Sequence, residues 1–69
     1  MRVKIDERKI RMILYDRKIT QKALSEKSGL SRLTIGKVMN GKTCTEETGR
    51  KICEALGVDI NEYATFNRF

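Results

Sequence analysis

Gln21-Lys-Ala-Leu-Ser-Glu-Lys-Ser-Gly-Leu-Ser-Arg-Leu-Thr-Ile-Gly-Lys-Val-Met-Asn-Gly-Lys42 sets two short helical segments on either side of one glycine. Thr20 offers an N-cap for the first, whose apolar positions are Ala23 and Leu24, and Ser28-Gly29 supplies its stop. Gly29 takes the positive φ that so tight a turn requires. Ser31 caps the second segment, in which Ile35 and Val38 fall three apart, and Asn40-Gly41 ends it near Met39. Leu24, Leu30, Ile35 and Val38 then meet as a small core between two helices set at a steep angle. That is the geometry of a helix-turn-helix, with its core over residues 20–42.

The flanking sequence continues in the same style. Asp6 and Glu7 open a first helix with Ile10, Ile13 and Leu14 on one face, and Arg17 and Lys18 close it, so acid and base each complement the helix dipole. Thr45 followed by Glu46 and Glu47 opens a fourth helix with a stripe of Ile52, Ala55 and Leu56, stopped by Gly57. Asp59 and Glu62 fit a capping-box-like start for a last turn or two through Ile60, Tyr63 and Ala64. No run alternates with a period of two for more than about four residues. The expectation is an all-α domain of five short helices spanning residues 1–69, with no linker, repeat or low-complexity tract to divide it.

A chain of 69 residues buries only roughly 60% of its extended surface, which leaves one small core and no large substrate cleft. Charged residues make up 35% of it and no apolar run approaches the length of about 18 needed to span a bilayer, so no membrane partner is expected. Two cysteines cannot build the disulfide framework of a small secreted domain, and no leader pattern precedes the first helix, so the expected location is the cytoplasm. The net charge of +6 is unevenly spread: residues 1–42 hold twelve Lys/Arg against four Asp/Glu, residues 43–69 three against five. A one-sided basic field steers polyanions to the half that carries the helix-turn-helix.

A helix held this way can lie in the major groove of a DNA duplex with its N-terminal residues facing base edges. At these residues the chain resembles the lambda-repressor/Cro-like helix-turn-helix family of phage repressors and bacterial regulators. The likeness runs over roughly residues 6 to 64: the five-helix order, the glutamine opening the second helix, the glycine turn, the Ser-Arg-x-Thr-Ile opening of the third, the Asn-Gly-Lys after it, and the Ala-Leu-Gly-Val that ends the fourth. The resemblance implies operator binding on double-stranded DNA, usually as a dimer. From the residues themselves no cofactor, metal or small-molecule ligand is expected.

It also implies roles for single residues. Gln21 matches the glutamine that contacts a phosphate, Thr34 and Asn40 match phosphate-contact positions, and Ser31 and Lys42 flank them as further phosphate candidates. Arg32, Leu33, Gly36 and Lys37 match the exposed, base-reading positions of the recognition helix. Arg32 and Lys37 suit guanine O6/N7 or else a phosphate, and Leu33 suits a thymine methyl. Gly36 departs from the usual pattern, since a glycine inside a helix costs about 1 kcal/mol against alanine. Ser25 and Ser28 depart from it too, standing where alanine and an apolar residue are common.

Other groupings have structural readings. The acidic pairs Asp6/Glu7 and Glu46/Glu47 sit at helix starts, where the dipole accounts for them. No histidine is present, and Cys44 and Cys53 lack metal or redox spacing. Cys53 is expected to pack in the core, and Cys44 to be an exposed thiol in the loop before the fourth helix. Tyr63, Phe66 and Phe69 recur every three residues, which predicts one side of a short helical tail over residues 60–69. They either close the small core or form a homodimer seam. The leading function is a sequence-specific transcriptional regulator of the phage or mobile-element repressor type, and no catalytic constellation supports an enzyme. A protein-interaction module, an antitoxin or adaptor on the same fold, is the alternative.

Overall fold

Asp6 begins the helical part of the chain by accepting hydrogen bonds from the backbone N–H groups of Arg8 and Lys9 through its carboxylate. In the computed structural model, which describes residues 2–67, the elements run β1 (Arg2–Ile5), α1 (Glu7–Arg17), α2 (Gln21–Ser28), α3 (Arg32–Met39), β2 (Cys44–Thr45), α4 (Glu46–Leu56), α5 (Ile60–Tyr63) and β3 (Ala64–Asn67). Each helix starts on the side chain foreseen for it: Thr20 accepts from Ala23, Ser31 from Thr34, Thr45 from Thr48 and Asp59 from Asn61. Such caps satisfy amide donors that the first turn leaves orphaned. Lys18 ends α1 in the left-handed region at φ 54°, and Gly29 ends α2 at φ 74°.

The five helices are present, but the fold is not all-α. β1, β2 and β3 form an antiparallel sheet in the order β2-β1-β3. Arg2 lies opposite Thr45 and Asn67, Val3 opposite Cys44 and Phe66, Lys4 opposite Thr65, and Ile5 opposite Ala64. The physical reason is the alternation Arg2-Val3-Lys4-Ile5, which buries Val3 and Ile5 and leaves Arg2 and Lys4 exposed. The sheet lies against α4, and Gly49 permits the contact: a Cβ there would sit 3.0 Å from Val3 Cγ2 and 3.3 Å from Ile5 Cδ1.

Two further expectations are corrected by the sheet. Cys44 is no exposed loop thiol; it sits on β2 opposite Val3 and is buried, and that burial pushes its thiol pKa up. Residues 64–67 are strand, so Tyr63 and Phe66 do not share the side of a helical tail. Both are half-buried against the core, and Phe69 lies outside the described residues. The core itself joins Ile10 and Leu14 of α1, Leu24 of α2, Ile35, Val38 and Met39 of α3, and Ile52, Cys53 and Leu56 of α4 to Val3, Ile5 and Ile60. Each fully buried aliphatic side chain there stabilises the fold by about 1.5–3 kcal/mol.

Candidate nucleic-acid interface

The turn between α2 and α3 is built from hydroxyls. Ser25 Oγ donates to the carbonyl of Leu30, the Leu30 N–H donates to Ser28 Oγ at 3.3 Å, and Ser28 Oγ donates to the Ser25 carbonyl at 3.3 Å. The Gly29 N–H closes the end of α2 on the Ser25 carbonyl at 3.0 Å. The two serines that depart from the usual composition therefore satisfy the backbone of the turn and fix the direction in which α3 leaves it. Arg11 fixes the other end, donating from Nη2 to the carbonyl of Met39, the last residue of α3, at 2.8 Å.

Held at both ends, α3 presents two faces. Ile35, Val38 and Met39 are buried, whereas Arg32, Leu33, Lys37 and Asn40 are exposed, Leu33 at 71%. At 3.6 residues per turn, positions 32, 33, 36, 37 and 40 share an arc of roughly 140°. Gly36 lies inside it, and a Cβ placed there would have no neighbour within 4 Å. The face is thus two cations, one exposed leucine and a bare stretch of backbone.

Polar groups suited to phosphate surround this face. Ser31 Oγ accepts from the Thr34 N–H at 3.1 Å and shares a 2.9 Å hydrogen bond with Thr34 Oγ1, so the two hydroxyls sit together at the N-terminus of α3. Asn40 is the C-cap, its N–H bonded to the Gly36 and Lys37 carbonyls while its side chain is exposed. Lys42 is exposed in the loop that follows. Gln21 is exposed at the start of α2 and lines an open groove with Tyr15, Lys18 and Met39. Tyr15 was not singled out from the sequence although it is 85% exposed; the available signal was an aromatic residue off the apolar stripe of α1.

The charges are arranged to the same end. The two ion pairs found among the described residues, Arg50 with Glu46 at 3.2 Å and Lys51 with Glu47 at 3.5 Å, both lie along α4. No cation of residues 2–42 is neutralised in this way among the described residues, so the basic field of the helix-turn-helix half is left open. Tyr63 and Phe66 belong to α5 and β3, which pack on α4 and β1, and Lys9 Nζ lies 5.7 Å from the Tyr63 ring centre.

A family model for the Cro/C1-type HTH DNA-binding domain matches residues 9–68. The chain belongs to that family. As a Cro/C1-type domain it is a DNA-binding domain of transcriptional regulators, with α2 and α3 as its helix-turn-helix. The match begins at Lys9, so β1 lies ahead of the part that the family model covers. No curated protein and no solved structure matches the chain. Among the described residues of this Cro/C1-type domain, no helix is long and apolar enough to cross a membrane, and no cluster of His, Cys, Asp or Glu is arranged to hold a metal ion.

Proposed function

We propose that this Cro/C1-type domain is a sequence-specific regulator, a repressor of the phage or mobile-element type, that inserts α3 into the major groove of its operator. The observation that carries the reading is the exposed face of α3: Arg32, Leu33 and Lys37 take no part in the core, and no acidic side chain lies on α3. Arg32 and Lys37 read guanine edges and Leu33 meets a thymine methyl, with Gly36 leaving room for close approach. Gln21, Ser31, Thr34, Asn40 and Lys42 hold phosphates on either side and set the register of the helix.

The working form in this reading is a homodimer on a two-fold operator. Its seam takes in Tyr63, Phe66 and Phe69, and β3 supports it as the outer strand of the sheet, with Phe66 only half-buried there. Two copies holding α3 helices about 34 Å apart would engage successive major grooves on one face of the duplex. Occupying an operator that overlaps a promoter then blocks polymerase sterically.

Selection of bound sites from random duplex DNA tests this directly. Enrichment of one motif with two-fold symmetry is the expected result. Enrichment of a single unsymmetrical site overturns the dimer, and failure to enrich any site overturns sequence-specific binding.

A further inference from the structure

Arg2 makes a contact that the helix-turn-helix does not need. Its Nη2 donates to both the carbonyl and Oγ1 of Thr43, each at 3.0 Å, although the side chain is exposed. Thr43 directly follows Lys42, so the contact pins one cation against the loop that carries another. The backbone of Arg2 is fixed as well, because β1 is the central strand and Arg2 is in register with Thr45 on one side and Asn67 on the other. Ordering a long side chain at the surface costs rotamer freedom, and hydrogen bonds to neutral, solvent-exposed acceptors return little of it.

The geometry leaves most of the guanidinium unused. The bonds to Thr43 come from Nη2 alone, and the N–H groups on Nε and Nη1 have no partner among the described residues. A guanidinium held through Nη2 keeps its charge and its remaining N–H donors on Nε and Nη1, and each of these can give one charge-assisted bond to a phosphate oxygen. We infer that Arg2 of β1 and Lys42 of the α3–α4 loop form one clamp on the sugar–phosphate backbone of the duplex. This rests on the reading that the loop after α3 lies on DNA, and it extends the interface to a strand ahead of residues 9–68, the part matched by the Cro/C1-type model.

The test is binding of the full chain to a random-sequence duplex of about 20 base pairs, followed by anisotropy between about 50 and about 200 mM salt. Arg2→Gln should make the dependence of log affinity on log salt shallower by about one unit, as Lys42→Gln does, and the double variant by about two. The loss should be equal on random and selected duplexes, because phosphates carry no sequence. Lys4→Gln is the comparator: Lys4 is exposed on the same face of β1 but sits opposite Thr65, two residues along the strand, and should change the slope much less. An Arg2→Gln slope equal to that of wild type, with or without a lower melting temperature, overturns the clamp and leaves Arg2 as a brace for the loop.

Should Arg2→Gln fail to fold, Arg2→Lys keeps the charge and loses the planar guanidinium that can reach Thr43 and a phosphate at once. It should retain the salt slope and bind the random duplex several-fold more weakly; wild-type affinity overturns the clamp. A wild-type chain that binds duplex without salt dependence overturns the DNA-backbone reading itself, a result distinct from an Arg2→Gln variant that matches a salt-dependent wild type.

Discussion

The Ser25 hydroxyl donates to the carbonyl of Leu30 across the turn that joins α2 to α3. It ties α2 to the residue that leads into α3 through one side chain. Ser25→Ala should lower stability by about 0.5–1.5 kcal/mol, the net worth of such a bond. Operator affinity should fall as well, because α3 loses its fixed exit angle. Chemical denaturation and binding titrations measure both, and a destabilised variant with unchanged affinity would show that the turn stands without this bond.

Arg32→Ala should leave the melting temperature nearly unchanged, since the side chain is exposed and makes no ion pair among the described residues. Specific binding should weaken by about 1–3 kcal/mol, with preference relaxed at one base position per half-site. Equal loss on operator and random duplex would transfer Arg32 to the phosphate contacts.

Gly36 and Gly49 are both helical glycines, and their alanine variants should move stability in opposite directions. At Gly36 an added methyl meets nothing within 4 Å, so Gly36→Ala should stabilise by up to about 1 kcal/mol. At Gly49 it would stand 3.0 Å from Val3 Cγ2, on a strand paired along both edges and unable to retreat. Overpacking costs about 1–3 kcal/mol, more than the helix gains, so Gly49→Ala should destabilise. Thermal melts decide both signs. On DNA, Gly36→Ala should bind its operator more weakly despite its higher melting temperature, because the methyl occupies the space of closest approach.

Burial pushes the Cys53 thiol up to about 11, with Asp59 and the neighbouring Cys44 adding to the shift. The native state therefore holds this proton more tightly than the unfolded chain does. The resulting stability is fully present below the ordinary thiol pKa near 8.5 and is lost as pH rises toward 11, at no more than about 1.4 kcal/mol per pH unit. Cys53→Ala removes the titration, so the stability difference between wild type and variant should narrow across that window. A difference that stays constant with pH would show that the thiolate is tolerated in the core.

The helices were legible because their signals are local: a capping side chain, apolar residues three and four apart, and a glycine or Asn-Gly stop all lie within one element. The exposed face of α3 followed from the same spacing, since fixing Ile35 and Val38 inward leaves Arg32, Leu33 and Lys37 outward. The sheet was not legible in this way. Arg2-Val3-Lys4-Ile5 does alternate, but four residues are too few to tell from chance, and β1 is a strand only because Cys44 and Phe66 come to lie beside Val3. Phe66 misled for the opposite reason: its spacing of three from Tyr63 imitates a helix, and pairing with a strand some sixty positions earlier overrode that preference. Arg11, Ser25 and Ser28 act through backbone carbonyls and amides of other elements, which composition does not display.

The register that sets Arg2 opposite Asn67 has a consequence for how a cell acquires this protein. Synthesis runs from the first residue to the last, so the recognition helix leaves the ribosome well before the strand that completes the sheet. Until residues 64–67 emerge, β1 lacks a neighbour on one edge and Val3 lacks Phe66 opposite it. Helices with local contacts form quickly, whereas a pairing between distant segments must wait for both partners. The nascent chain thus exposes an open edge of β1 until those residues are made, and a chain that stops before residue 64 has its helix-turn-helix sequence intact and its sheet incomplete.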